Sequence, residues 1–156
     1  MFYVDMVLNT FIALNFNTVI YYPLNVYRYM LGNANQSVSL SSYIKRYKDH
    51  ENVCIRMAEL YTEKASSLSE ERNNFIMENL IIPMMIFQYN LVIAKRNDAK
   101  AFKSFDNRLK AFPEIYNNKE IVMKKVRFHR ATGGILMPFE SLLEWVISLF
   151  SKSENQ

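Results

Sequence analysis

The sequence predicts a mainly α fold, a bundle of about five helices preceded by a small N-terminal β element of two short strands. Three observations carry this reading. Only three of the 156 residues are glycine and four are proline, against roughly 11 and 8 at average usage, so turns are scarce and segments long. After Leu40 apolar residues recur at i, i+3, i+4 and i+7, the period of one helix face. Between these runs sit capping and breaking residues, among them Asn97-Asp98, Pro113 and Gly133-Gly134.

Asp5 to Leu14 reads as a short apolar helix that Asn15 and Asn17 break. Thr18-Val19-Ile20-Tyr21-Tyr22 favours a strand closed by Pro23, and Asn25 to Met30 a second. Gly32 to Ser39 is polar and forms a loop. A long helix should run from Leu40 to about Ala65, with Ser39 as its N-cap and Tyr43, Ile44, Tyr47, Cys54, Met57, Ala58 and Tyr61 on one face. Ser67-Leu68-Ser69-Glu70 matches a capping box. The helix it opens carries Phe75, Ile76, Leu80, Met84, Phe87, Leu91 and Val92 on its apolar face, and Pro83 should kink it. Asn97-Asp98 caps a third helix bearing Ala101, Phe102, Phe105 and Leu109, which Pro113 ends. Asn117-Asn118 caps a fourth, basic helix to about Arg130. After the Gly133-Gly134 stop, Pro138 opens a last helix with Phe139, Leu142, Leu143, Val146 and Phe150.

With 50% apolar and 22% charged residues the chain has material for a core and is not a disordered tail. Its net charge of +4 is mild, and Lys and Arg are spread apart from one cluster, Lys124, Lys125, Arg127 and Arg130. A nucleic-acid partner is therefore not expected. Cys54 has no second cysteine to pair with and reads as a small buried side chain in a reducing compartment. His50 reads as a surface or rim histidine. Neither it nor His129 has metal-ligand spacing around it, and no phosphate-cradling glycine motif occurs. The N-terminus has no basic region of a signal peptide. The most apolar stretch, Asn79 to Ala94, is short for a membrane span and suits a buried, proline-kinked core helix.

The opening residues carry the chemistry. Phe2-Tyr3-Val4-Asp5-Met6 is followed by Asn25-Val26-Tyr27-Arg28-Tyr29 and then by Asn35-Gln36-Ser37-Val38-Ser39-Leu40. This order resembles the C-terminal portion of bacterial family 2 glycosyltransferases of the GT-A type, over about residues 2 to 52. The resemblance implies that Asp5 is the base that takes a proton from the acceptor hydroxyl. It also implies that Arg28, Gln36, Ser37 and Ser39 line the diphosphate or acceptor site, where forked and charge-assisted donors suit phosphate oxygens. The family more often has Glu at the position of Val4. Asp5 equally suits the charge preference of a helix N-terminus, and Ser39 that of a cap.

The resemblance divides the chain into 1–39, a remnant of the catalytic domain, and 40–156, a C-terminal helical domain. It implies a fragment that lacks the N-terminal nucleotide-binding half, with no metal site of its own and no independent activity. The parent would use Mg or Mn with a nucleotide-sugar and transfer the sugar to a polysaccharide or lipid-linked acceptor, in the cytoplasm or at the inner face of the cell membrane. The basic run Lys124 to Arg130, followed by an apolar segment with Trp145, is compatible with peripheral membrane contact. Homo-oligomer formation is compatible with the amphipathic helices. The alternative reading is a non-catalytic helical interaction or membrane-docking module.

Overall fold

A computed structural model describes residues 3–18, 20, 22–24, 40–94 and 98–134. The chain is mainly α: α1 (Val4–Asn15), α2 (Leu40–Lys45), α3 (Tyr47–Lys64), α4 (Glu70–Ile76), α5 (Ile82–Ala94), α6 (Ala99–Leu109), α7 (Pro113–Tyr116) and α8 (Lys124–Ala131). It forms two compact units, Met1–Gln88 and Tyr89–Gln156.

No strand occurs among the described residues. Thr18, Ile20 and Tyr22 are exposed and irregular where a strand was expected, because a β preference is realised only when a neighbouring strand pairs with it. The second expected strand and the helix expected after Pro138 lie outside the described residues.

In the first unit α3 is the central element. It packs against α1, against α2 and against the π-helical turn Met77–Ile81. Val53, Cys54, Met57, Ala58 and Tyr61 are fully buried. The helix expected over 40–65 is broken at Arg46, whose φ of −108° and ψ of 21° leave the helical region; no proline or glycine marks that break.

Glu70 to Ala94 is one continuous helical run of 25 residues, long and apolar enough to cross a membrane. Its most apolar window is 61% buried within the protein, which makes it a core helix by packing. Its N-cap is Ser69, which accepts a hydrogen bond from the Arg72 N–H. The Ser67–Glu70 capping box does not form, since Ser69 rather than Ser67 occupies the cap position and the Ser67 hydroxyl donates backward to the Lys64 carbonyl at 2.7 Å. Pro83 acts through the turn before it. With no N–H to give the Asn79 carbonyl, it follows a widened turn in which the Ile82 N–H reaches back five residues to Met77.

In the second unit Asp98 caps α6, accepting from the Ala101 N–H at 3.0 Å. Ala101, Phe102, Phe105 and Leu109 are buried on one face. The basic helix is shorter than its sequence suggests. Asn118 turns on itself to accept from the N–H groups of Glu120 and Ile121, and helical structure resumes only at Lys124. It ends in a Schellman motif, with Gly134 N–H bonded to the His129 carbonyl at 2.9 Å and Gly133 N–H to that of Arg130 at 3.4 Å. Gly133 has φ +59°, and a Cβ there would meet only the Lys103 side chain at ordinary distance. Gly133→Ala is expected to cost the backbone term alone, about 1–2 kcal/mol by urea denaturation. A larger loss would mean steric conflict.

Candidate functional site

Asp5 lies in the first turn of α1 and is exposed. Its carboxylate is free for solvent or a ligand and sits at the positive end of the helix dipole. The residue two positions earlier fixes that end. Tyr3 is the N-cap with φ 67° and ψ 26°, the left-handed region that a tyrosine enters only under constraint. Its ring stacks on Tyr43 of α2 at 5.4 Å between centroids and meets His50 of α3 edge-on at 5.3 Å. Phe87 completes the cluster, edge-on to both Tyr43 and His50.

His50 is 2% exposed, so the surface position read from sequence is corrected. What the sequence does not display is its partner, Gln88, 38 residues away. The Gln88 amide N–H donates to the Tyr47 carbonyl at 3.2 Å, turning its Oε1 toward His50 Nδ1 at 2.8 Å. Nδ1 therefore carries the proton and donates. Burial pushes the His50 pKa below its ordinary value, against the opposing pull of the Gln88 bond, and the ring is neutral near pH 7. Cys54 Sγ lies 3.5 Å from Nδ1, but that nitrogen is a donor, so the thiol donates instead to the Met84 carbonyl at 3.5 Å. Burial also pushes the thiol pKa well up. A protonated, enclosed thiol beside a donor nitrogen is no nucleophile and base pair.

The opposite end of α1 is held by Arg72. Its guanidinium donates to the Ala13 carbonyl at 2.8 and 2.7 Å, to the Phe16 carbonyl at 2.6 Å and to Asn17 Oδ1. These are carbonyls that the helix end leaves without intrahelical partners, answered by a cation at the negative end of the dipole. Beside this clamp a cavity of about 610 Å³ is lined by Ile12, Phe16, Phe75 and Leu80. Along α1 itself Val4, Leu8 and Phe11 are 52%, 54% and 46% exposed, at i, i+4 and i+7. Asp5 thus stands at the start of an uncovered apolar stripe. Arg28, Gln36, Ser37 and Ser39 lie outside the described residues.

The second unit contains a polar cluster that sequence reading missed. Arg130 Nε is 2.7 Å from Asp106 Oδ1, and both side chains are mostly buried. Tyr89 donates its hydroxyl to the same Asp106 oxygen at 2.7 Å and accepts from Arg130 Nη2 at 2.9 Å. Tyr116 donates to Asp106 Oδ2 at 3.2 Å and lies beneath the guanidinium at 3.7 Å. Burial, then the carboxylate, push the Tyr89 and Tyr116 hydroxyls up. Burial works against the charge on Arg130, but the Tyr89 oxygen and Asp106 outweigh it and hold the guanidinium charged. The available signal was Asp106 on the same helix as the buried Phe102 and Phe105, one residue after an apolar position.

Among the described residues no group of three or more His, Cys, Asp or Glu is placed to hold a metal ion. No family model, no curated protein and no solved structure matches the chain.

Two outcomes are expected. The folded state holds His50 below its ordinary pKa, so the unfolded chain protonates first and stability falls as pH drops below about 6.5. Urea denaturation between pH 7.5 and 5 should show this acid-side loss, and His50→Gln should flatten it. Arg130→Met leaves Asp106 buried without its cation and should cost about 3–5 kcal/mol by the same measurement. A loss under 1 kcal/mol would show the pair to be solvated.

Proposed function

We propose that this chain is the C-terminal part of a bacterial family 2 glycosyltransferase of the GT-A type, which moves a sugar from a nucleotide-sugar to a cell-surface polysaccharide or lipid-linked acceptor on the cytoplasmic side. The observation that carries the reading is the order of Asp5, Tyr27-Arg28-Tyr29 and Gln36-Ser37-Val38-Ser39 along one chain. The exposure of Asp5 supports it, because a base must reach the hydroxyl it deprotonates.

In this mechanism Asp5 accepts the acceptor O–H proton as that oxygen bonds to the anomeric carbon. The bond from that carbon to the diphosphate oxygen breaks, and the nucleoside diphosphate leaves with the electron pair. Arg28, Gln36, Ser37 and Ser39 hold the diphosphate or the acceptor through charge-assisted and neutral hydrogen bonds. The Mg or Mn ion expected with the nucleotide-sugar has no ligand set among the described residues, and its place is assigned to the nucleotide-binding half. That half would also cover the stripe of Val4, Leu8 and Phe11, since exposed apolar stripes of this kind favour a protein partner.

A second reading, a non-catalytic helical docking module, draws on the same exposed stripe. The coding frame ahead of residue 1 separates the two. Parallel strands and an Asp-x-Asp motif there support the transferase, and a frame without them rejects it. In the complete enzyme Asp5→Asn is expected to lower sugar transfer by roughly 10²- to 10⁴-fold while nucleotide-sugar binding is kept. Transfer at the unmodified rate would remove Asp5 as the base.

A further inference from the structure

The chain's positive charge is unevenly shared. Residues 1–88 carry seven Lys and Arg against eight Asp and Glu, whereas residues 89–156 carry twelve against seven. The whole excess therefore belongs to the second unit. Within that unit α8, Lys-Lys-Val-Arg-Phe-His-Arg-Ala, contains no carboxylate. Burial sorts its side chains. Arg130 turns inward to Asp106, while Val126 and His129 are buried, so none of the three contributes to the surface. Lys124, Lys125 and Arg127 are exposed. Phe128 stands among them, 40% exposed and one helical turn beyond Lys124.

Val126 and His129 supply the buried contacts of α8, and the Phe128 ring, edge-on to His129 at 5.5 Å, still keeps 40% of its surface open to solvent. A ring flanked by cations fits an anionic lipid interface, where the ring enters the acyl boundary and the cations remain with headgroup phosphates. Single-stranded nucleic acid is a poorer match, because it uses a groove with several rings for successive bases.

We propose that the second unit docks on an anionic phospholipid surface through this face of α8, with Lys124, Lys125 and Arg127 against the headgroup phosphates and Phe128 inserted below them. The site is independent of the transferase reading and stands or falls separately.

The test uses the full chain and sedimentation with vesicles of phosphatidylcholine alone or of equimolar phosphatidylcholine and phosphatidylserine. Partition onto the anionic vesicles should exceed that onto the neutral ones by tenfold or more at about 0.1 M salt and fall steeply as salt is raised. Each cation is expected to contribute roughly fivefold, so the combined Lys124→Gln, Lys125→Gln and Arg127→Gln variant should lose roughly a hundredfold. Phe128→Gln should lose severalfold on anionic vesicles with the salt dependence retained. Equal partition onto the two vesicles overturns the proposal, and that comparison needs no variant. So does wild-type binding by a folded triple variant. An unaltered Phe128→Gln variant together with displacement from vesicles by a single-stranded oligonucleotide also overturns it, in favour of general polyanion binding.

Discussion

A helix that packs on several neighbours needs apolar atoms around much of its circumference, and α3 meets that demand. Eight of its eighteen residues are buried, more than a single stripe supplies. It receives both α1 and the π turn at Met77–Ile81. Tyr61 joins the packing to a hydrogen bond, donating its buried hydroxyl to Asn73 of α4 at 2.6 Å. The position of α1, and with it of Asp5, follows from α3. His50 on α3 meets the Tyr3 ring at the start of α1, and Arg72 of α4 holds the other end. The exposed carboxylate is therefore mounted on a helix fixed at both termini.

Polar groups do different work in the two units. Arg72 satisfies backbone carbonyls at a helix end, a role any well-placed cation can share in part. Arg130 instead completes a closed set with Asp106, Tyr89 and Tyr116, in which each hydroxyl and carboxylate oxygen has a partner. Such a set fixes one arrangement of α6, α7 and α8, because losing any member leaves a buried charge or hydroxyl unanswered. His50 and Gln88 follow the same logic with neutral groups, and for that reason the first unit tolerates a histidine in its interior.

The parts of this fold that were legible in the sequence are those set by local chemistry. Asp98 capping α6, the four apolar residues of its buried face, the end of α1 near Asn15 and the glycine stop after α8 all depend on contacts within a few residues. What was not legible depends on distant partners. His50 looked like a rim residue because Gln88 is 38 positions away, and nothing marked Asp106 because its partner Arg130 is 24 positions away. The basic helix was drawn too long because Asn118 forms a local turn that resembles a cap in sequence. Of the candidate site, Asp5 could be compared with the structure and proved accessible. The apolar stripe beside it was visible as apolar residues, but periodicity alone does not say which side of a helix is covered.

The π turn ahead of Pro83 has a consequence for the phase of the whole core helix. Buried residues fall in pairs, Ile76–Met77, Ile81–Ile82 and Met84–Met85, and the first step between pairs is five residues. At about 100° per residue an ordinary α-helix would carry a five-residue step some 140° past the starting face. The widened turn absorbs that excess, which is why Phe75, counted on the apolar face from its spacing, is in fact exposed. The turn acts as a one-residue insertion that resets the helix register. Rewinding the same five residues as ordinary α-helix would rotate Gln88 by about 100° away from His50, whereas deleting one of them would remove the excess and leave Gln88 in phase, so the proton on Nδ1 depends on a widened turn that His50 does not touch.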